Sequence, residues 1–505
     1  FNAGETGSLL STAEAQQLSD TLRTKYNYDA GTFNTFNAQT QSDKLFGRVD
    51  WNISSKHRLT VRHNYIKAFD DNISRSNSLF RFGNNTYRFN NTQNITVAEL
   101  RSRISNTISN NLIVSRQQIR DFRSTYGQLF PSIEIAKGAG TINIGSERSS
   151  TANVLDQDIF EVSDNVKIFQ GKSTFTIGTH NEFFKFRNQF INNLNGRWRF
   201  ASVQDFYNNQ PRQFDVTYAA DKSITDKPSA QFTAAQLGFY AQDEIQFNPK
   251  FRLTFGLRVD VPVINSIPGY NKKIDSTFGG LYNTQNMPDK QPLFAPRIGF
   301  NYDPEGDRST IIRGGIGVFT GRVPFVWVSN QFSNTGLLLR TTSQTVGPTT
   351  PLAVNGGNGF NPNVSEQSSI GAAGSASSFE ANLIDKKFKF PQVLRINLAT
   401  DVKLPDNVNL TLETIISKTI NNVFYSDVNL TAPTGVVDQV YNNGFDNRIA
   451  FASSNNGRRK NPNITNAILI SNTNQGYTFN LGGTLNKTWK HIFAQASYNF
   501  NSATD

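Results

Sequence analysis

Along this chain, stretches of about ten residues alternate apolar and polar side chains, and they come in pairs. A tight turn joins the two members of a pair, and a long polar loop leads to the next pair. In the clearest stretch, Phe251, Leu253, Phe255, Leu257, Val259 and Val261 alternate with Arg252, Thr254, Arg258 and Asp260. Successive side chains on a strand point to opposite faces, so one face here is greasy and the other charged. The pattern recurs at Ile492–Phe500 and Tyr477–Leu485. It recurs again where Leu45, Val49, Trp51 and Ile53 oppose Lys44, Arg48, Asp50 and Asn52, and where Leu394, Ile396, Leu398 and Val402 oppose Arg395, Asn397 and Asp401.

A soluble β-sandwich also alternates. The short–long rhythm of the connections, with no long apolar run anywhere, points instead to an all-β fold, a transmembrane antiparallel β-barrel of the outer-membrane type. Its apolar face meets lipid, its polar face meets a wet lumen, long loops lie outside and short turns lie in the periplasm. His63 and Asp243 break the parity and fall on the apolar face. A charge at mid-bilayer on a barrel costs roughly 2–4 kcal/mol, so both are expected near a membrane boundary.

Composition agrees with this reading. Mean hydropathy is −0.45, as expected where half of each strand and all of the loops are polar. No window approaches the 18 uncharged apolar residues of a membrane-spanning helix. The 505 residues include no cysteine, 41 Phe and 15 Tyr, and the net charge is +11. Basic residues are scattered along strands rather than gathered on one patch or helix, which argues against nucleic acid as a partner. The charge reads as a basic surface with solvated loops, or as loops that touch anionic lipopolysaccharide; outer-membrane lipid is the solvent of the wall.

About fourteen strands in seven hairpins are expected: Leu45–Ile53 with Arg58–Lys67, Thr92–Ile104 with Leu112–Arg123, Asp158–Ile168 with Ser173–Phe186, Gln236–Phe247 with Phe251–Val263, Ala295–Tyr302 with Thr310–Phe319, Gln392–Leu404 with Val408–Ser417, and Gly476–Asn486 with Ile492–Asn501. Asn, Pro, Asp and Gly supply the turns. Residues 1–40 read as a loop segment with a short helix at Thr12–Lys25. The alternation gives no sign of a second folded domain. The first residue is Phe1 and the last, Asp505, falls just past a strand; the expectation is an interior piece of a longer barrel, with residues 1–505 forming a partial barrel domain.

Several strings add a resemblance. LGFYAQDE at Leu237–Glu244 followed by LTFGLRVD at Leu253–Asp260 resembles the mid-barrel hairpin of TonB-dependent outer-membrane receptors. FAPRIGFNYD at Phe294–Asp303, IRGGIGVFTGRVPFVWVSN at Ile312–Asn330, FKFPQVLRINLATD at Phe388–Asp401 and NTNQGYTFNL at Asn472–Leu481 look like the Oar-like branch of that family, common in Bacteroidetes-type bacteria. The resemblance runs from about Asp43 to the end. It implies a barrel of 22 strands, an internal plug, an upstream TonB-contacting segment and, in many members, an N-terminal β-sandwich. On that resemblance, the plug, the upstream parts and the last strands are expected to lie outside this sequence. The function implied is that of a TonB-dependent transporter for a large substrate (oligosaccharide, peptide or protein). The TonB complex would be engaged through the missing N-terminal part, and there is room for a companion lipoprotein. A structural or adhesive barrel is the alternative, and a barrel enzyme the weakest reading.

Chemistry-bearing motifs are sparse. His57, His63, His180 and His491 are far apart, and without cysteine no metal site of the usual kind is expected; no cofactor and no catalytic residue is assigned. His57 and His491 read as solvated turn residues. His180 beside Asn181 is too little for a hydrolase. Asp303-Pro-Glu-Gly-Asp307 reads as a tight turn rather than a calcium loop. Lys137–Gly140 and Asn355–Gly359 lack the strand–loop–helix context of a phosphate site. The candidate substrate-binding segment is Gly321–Asn334, with Arg322, Phe325, Trp327, Asn330 and Gln331. Aromatic and amide groups together offer flat apolar area and hydrogen bonds. The same Phe325 and Trp327 could instead anchor the interfacial girdle or pack the loop base. Arg48, Arg62, Arg258, Arg313 and Arg395 form a second, lumen-facing set, expected to pair with Asp50, Asp260 and Asp401 or with a plug.

Overall fold

The computed structural model describes all residues except 347–351, 353–356, 358, 374–377, 437–447, 453–454 and 505. Seven hairpins supply its strands: β1 Thr40–Asn52, β2 His57–Asn72, β3 Tyr87–Arg103, β4 Ile108–Thr125, β5 Asn153–Gln170, β6 Ser173–Phe190, β7 Ala230–Asn248, β8 Phe251–Ile264, β9 Leu293–Tyr302, β10 Thr310–Thr320, β11 Gln392–Leu404, β12 Val408–Asp427, β13 Tyr477–Thr488 and β14 Phe493–Thr504. Each pairs antiparallel with the next, and the loop end of β12 also pairs with Ile464–Thr473, which runs parallel to Phe379–Ile384. Among the described residues β1 and β14 pair on one side only. The strands are those expected from the alternation; Gln392–Leu404 has the expected bounds, and most of the others are extended by one to several residues, mainly at the loop end.

Register fixes the two faces. Phe255, Ile298, Ile316, Ile396, Ile416 and Phe479 are successive partners across six strands and form one apolar row. Four of these side chains (Phe255, Ile298, Ile316, Ile396) stand open to the outside with no layer packed against them. The next row on the other face runs Gly256, Arg297, Gly317, Arg395, Ser417 and Thr478. An uncovered apolar face backed by a charged one is the cross-section of a membrane barrel wall, not of a sandwich.

The parity exceptions are both accommodated. Asp243 lies between Phe175 and Phe255, is only 6% exposed, and accepts a hydrogen bond from Ser173 Oγ at 3.3 Å. His63 Nδ1 lies 2.9 Å from Thr96 Oγ1. At the turns, Asp406 and Asn407 take left-handed φ values of 61° and 58°, which suits Asp and Asn in a tight hairpin. The Asp303 carboxylate accepts from the Gly306 and Arg308 amides at 2.8 and 3.1 Å, so this acidic stretch is a turn closed on itself.

The loops are more ordered than the alternation indicates. Leu339–Thr345, Gln213–Ala219, Arg197–Phe200, Ser132–Lys137, Gly140–Ile144 and Leu79–Arg81 form a six-stranded mixed sheet in that order. It buries a core that includes Phe80, Ile133, Ile135, Trp198, Phe214 and Val216. Helix α1, Thr12–Tyr26, covers this core with Ala15, Leu18 and Leu22. Ser11 and Glu14 form a reciprocal capping box at its start, and Asn27 closes it in the left-handed conformation. Trp198 is fully buried and its indole N–H donates to Gln367 Oε1 at 2.9 Å. The barrel thus carries a folded cap built from five separate loops. Its short strands come from distant parts of the chain, and two of the pairings are parallel, so no local hairpin signal announces them.

Candidate functional site

The segment after β10 turns back across the lumen wall instead of leaving it. Gly321 N–H donates to the Pro391 carbonyl at 2.8 Å, and residues Phe325–Ser333 form helix α2. Helical spacing sends Phe325, Val328, Ser329 and Phe332 to one side. That side meets the lumen face of β6 and β7, where Phe184, Phe186 and Phe232 project. The Phe325 ring lies 4.8 Å from Phe184 and 5.0 Å from Phe186, and Phe332 stacks on Phe232 at 4.8 Å. Asn188 Nδ2 donates to Ser329 Oγ at 2.6 Å. Arg322 donates to Glu182 at 3.0 Å and lies 5.0 Å over the Phe184 ring.

The five candidate residues therefore divide. Phe325 is 6% and Gln331 1% exposed. Both are buried, and Phe325 packs as the aromatic anchor of the loop base, the alternative weighed for it from the sequence. Arg322 is spent on Glu182. Trp327 is 38% exposed and meets Tyr425 edge-on at 5.6 Å. Asn330 is partly exposed, and its carbonyl accepts from Asn334 N–H. Trp327 and Asn330 remain accessible, as does the exposed Arg322 beside its Glu182 partner.

The lumen set lies on the polar face of its strands. Arg48 pairs with Asp50 at 2.8 Å, Arg258 with Asp260 at 2.7 Å and Arg313 with Asp401 at 3.0 Å. Arg62 stands opposite Arg48 in the register and makes no ion pair among the described residues. Arg395 Nε donates to Ser417 at 3.3 Å, and its guanidinium lies 5.9 Å from the Phe319 ring. Two glycines shape this wall. A Cβ at Gly178 would come within 2.6 Å of the Tyr240 ring, and one at Gly238 would strike the Arg258 guanidinium. Their absence lets both long side chains lie flat along the lumen.

A polar cluster that sequence reasoning missed joins wall to helix. His180 Nδ1 lies 2.5 Å from Ser163 Oγ and 3.3 Å from Glu161; its Nε2 is 3.8 Å from Glu182, which in turn holds Arg322. The signal was present as two same-face i, i+2 pairs, Glu161 with Ser163 and His180 with Glu182, on neighbouring strands. Among the described residues no three His, Cys, Asp or Glu side chains converge as a metal-binding group.

Residues 8–505 match the family model described as the outer membrane beta barrel domain. The chain belongs to that family. The domain accordingly resides in the outer membrane of a Gram-negative cell. Its fold is similar to the outer membrane transporter YddB from Escherichia coli, with a TM-score of 0.55 at 11% identity, covering 92% of this chain and 48% of that one. It is also similar to a variant of the ferric enterobactin receptor PfeA from Pseudomonas aeruginosa (TM-score 0.51, 11% identity, 92% and 52% covered) and to the copper transporter OprC (TM-score 0.51, 9% identity, 93% and 54% covered). The barrel domain thus spans about half the length of these structures. A comparison with curated protein sequences found no match.

Proposed function

We propose that this barrel domain is the membrane portion of a TonB-dependent receptor of the Oar-like type that imports a large ligand, an oligosaccharide, peptide or protein. One observation carries the reading: helix α2 is folded into the mouth of a polar lumen and tied to its wall by Arg322–Glu182 and the Phe184–Phe325 contact. A loop so placed presents Trp327 and Asn330 at the entrance, where an arriving ligand meets flat apolar area and an amide. The similarity of its fold to the transporters YddB and OprC supports the reading at the level of fold analogy. In it, further strands extend β1 and β14 to close the wall, because an open edge in lipid strands backbone groups without partners. A plug fills the bore, and the TonB complex drives it. The domain itself performs no covalent chemistry.

The folded cap favours a second reading, an adhesive barrel whose outer surface matters more than its bore. The two separate in one experiment. A deletion strain is complemented with the full-length gene and grown on a panel of glycans and peptides, with uptake of labelled nutrient measured before and after collapse of the inner-membrane proton gradient. The transporter reading expects uptake of one ligand class that stops with the gradient and falls with Trp327→Ala. Surface binding that persists unchanged without the gradient, and no uptake of any nutrient, supports the adhesive reading instead.

A further inference from the structure

The cap sheet buries one face in its apolar core and leaves the other polar. Register places Arg81, Asn143, Glu134, Arg199, Gln213 and Thr345 in one row across all six strands, each the partner of the next. The neighbouring row runs Ser132, Arg197, Asp215 and Ser343. Arg148 and Arg212, just outside the strands, reach the same face. Arg148 lies 3.8 Å from Glu134, and Arg212 lines a cleft of about 240 Å³ together with Glu134, Arg199, Gln213 and Thr345. Arg148 and Arg199 are exposed, so the face is open to solvent.

Arg81, Arg148, Arg197, Arg199 and Arg212 thus stand against Glu134 and Asp215, the carboxylates on this face of the strands. Asp215 is saturated. It accepts from Arg197 at 2.8 Å, from Gln213 at 3.0 Å and from Ser343 at 2.6 Å. Glu134 is the one carboxylate among the residues that line the cleft. It is already surrounded by Arg199 at 3.1 Å, Arg197 at 3.7 Å and Arg148 at 3.8 Å. The surplus of charge is therefore positive even with both carboxylates counted. Arg81 and Arg212 make no ion pair among the described residues, and the Nε of each is buried without a hydrogen-bond partner there. The same holds for Asn143 Oδ1, beside Arg81. Buried polar atoms are as a rule hydrogen-bonded, so orphans gathered on one face mark a place for a partner.

We propose that the polar face of the cap binds an acidic oligosaccharide, a chain of sugar rings that bear carboxylates. The carboxylates pair with Arg81, Arg199 and Arg212, and the hydroxyls bond to Asn143, Gln213 and Thr345. Guanidinium takes a carboxylate through two parallel N–H donors. Strands lie about 4.8 Å apart, close to the length of one sugar ring, so the row presents one polar side chain per ring. A peptide fits less well, since the row carries no apolar side chain against which its own could pack. The site is separate from Trp327 and Asn330. It rests on the import reading only in taking the cap to meet ligand from outside, so binding is measured without uptake.

Isothermal titration calorimetry of the full-length protein, purified in detergent, tests the site. The probes are an oligogalacturonate of about six units, the same oligomer with its carboxylates reduced to alcohols, and a polyglutamate peptide of equal charge. Expected is binding of the oligogalacturonate, about tenfold or more weaker for the reduced oligomer and for the peptide, and about tenfold weaker in Arg212→Ala. Arg212 has no ion pair to lose, so its removal leaves the cap intact, which hydrogen exchange of the α1 amides checks. Lys56→Ala, in a periplasmic turn, leaves binding unchanged. No binding of the oligogalacturonate, equal binding of the reduced oligomer or of the peptide, or unaltered binding by Arg212→Ala overturns the proposal. If Arg212→Ala loosens α1, the comparison of probes on the unmodified protein decides alone. Oligogalacturonate bound but not taken up counts against import and leaves the site standing.

Discussion

At the scale of single residues, the candidate site turns on which side of α2 a side chain occupies. Phe325 and Trp327 are two apart, so a helix sends them to nearly opposite sides. The segment read as bare sequence offers two aromatics of equal standing; only the helix makes one a core residue and the other a surface. The expected consequences differ accordingly. Phe325→Ala removes the ring that Phe184 and Phe186 enclose, at a local cost of about 3–5 kcal/mol. Hydrogen exchange should then show the α2 amides exchanging faster while the barrel strands stay protected. Trp327→Ala should leave α2 exchange as it was and weaken capture of ligand. A Phe325→Ala protein with unchanged α2 protection would remove the aromatic cluster as the anchor. Gly178→Val gives a further check. It drives a side chain into the Tyr240 ring and towards the Asp164 carbonyl at 2.7 Å, so folded barrel on a heat-modifiability gel should drop; full recovery would show that Tyr240 moves aside without cost.

At the scale of elements, the seven hairpins were legible because a strand buried or solvated on one face writes its period directly into the chain. Helix α1 was legible within one residue of its end, with an amphipathic stripe of Ala15, Leu18 and Leu22. Helix α2 was not, since Pro324 supplies no capping side chain. The cap was not legible either. Leu79–Arg81 and Arg197–Phe200 are too short to show a period, and their partners lie far away in sequence. Nor could the alternation show which lumen carboxylates cluster round His180, because that depends on the register between β5 and β6. The cap carries its own pH test. Glu14 on α1 accepts from Lys137 Nζ at 2.5 Å, and this hydrogen bond, with that of the Ser11 amide, holds the Glu14 carboxyl below its ordinary value of 4.5. A carboxyl lowered on folding stabilises the fold above its unfolded value, and that contribution is lost as pH falls through the folded value. Acidification below about pH 4.5 should therefore loosen α1 from the cap, and Glu14→Gln should remove the acid sensitivity of α1 exchange. Equal sensitivity in both proteins would assign it to other groups. Burial pushes the Tyr26 phenol, at the far end of α1, up to about 12, so it stays neutral throughout this range.

At the scale of the whole molecule, everything follows from a wall with two solvents. The outward apolar rows have no protein over them, and the inward rows carry ion pairs that need water or a polar occupant. Leu257→Arg should accordingly cost about 2–4 kcal/mol when the protein folds into vesicles, whereas Thr254→Arg, on the lumen face of the same strand, should cost well under that. The most direct test of the two faces uses the fact that the chain contains no cysteine. Single cysteines placed in turn along Leu253–Val261 of the full-length protein in lipid vesicles can each carry a spin label, and collision with a lipid-soluble and a water-soluble relaxant can be measured. The account predicts that labels at 253, 255, 257, 259 and 261 collide with the lipid-soluble relaxant and that those at 254, 256, 258 and 260 do not. Labels that show no two-residue alternation, or odd positions shielded from the lipid-soluble relaxant as under a second sheet, would contradict it.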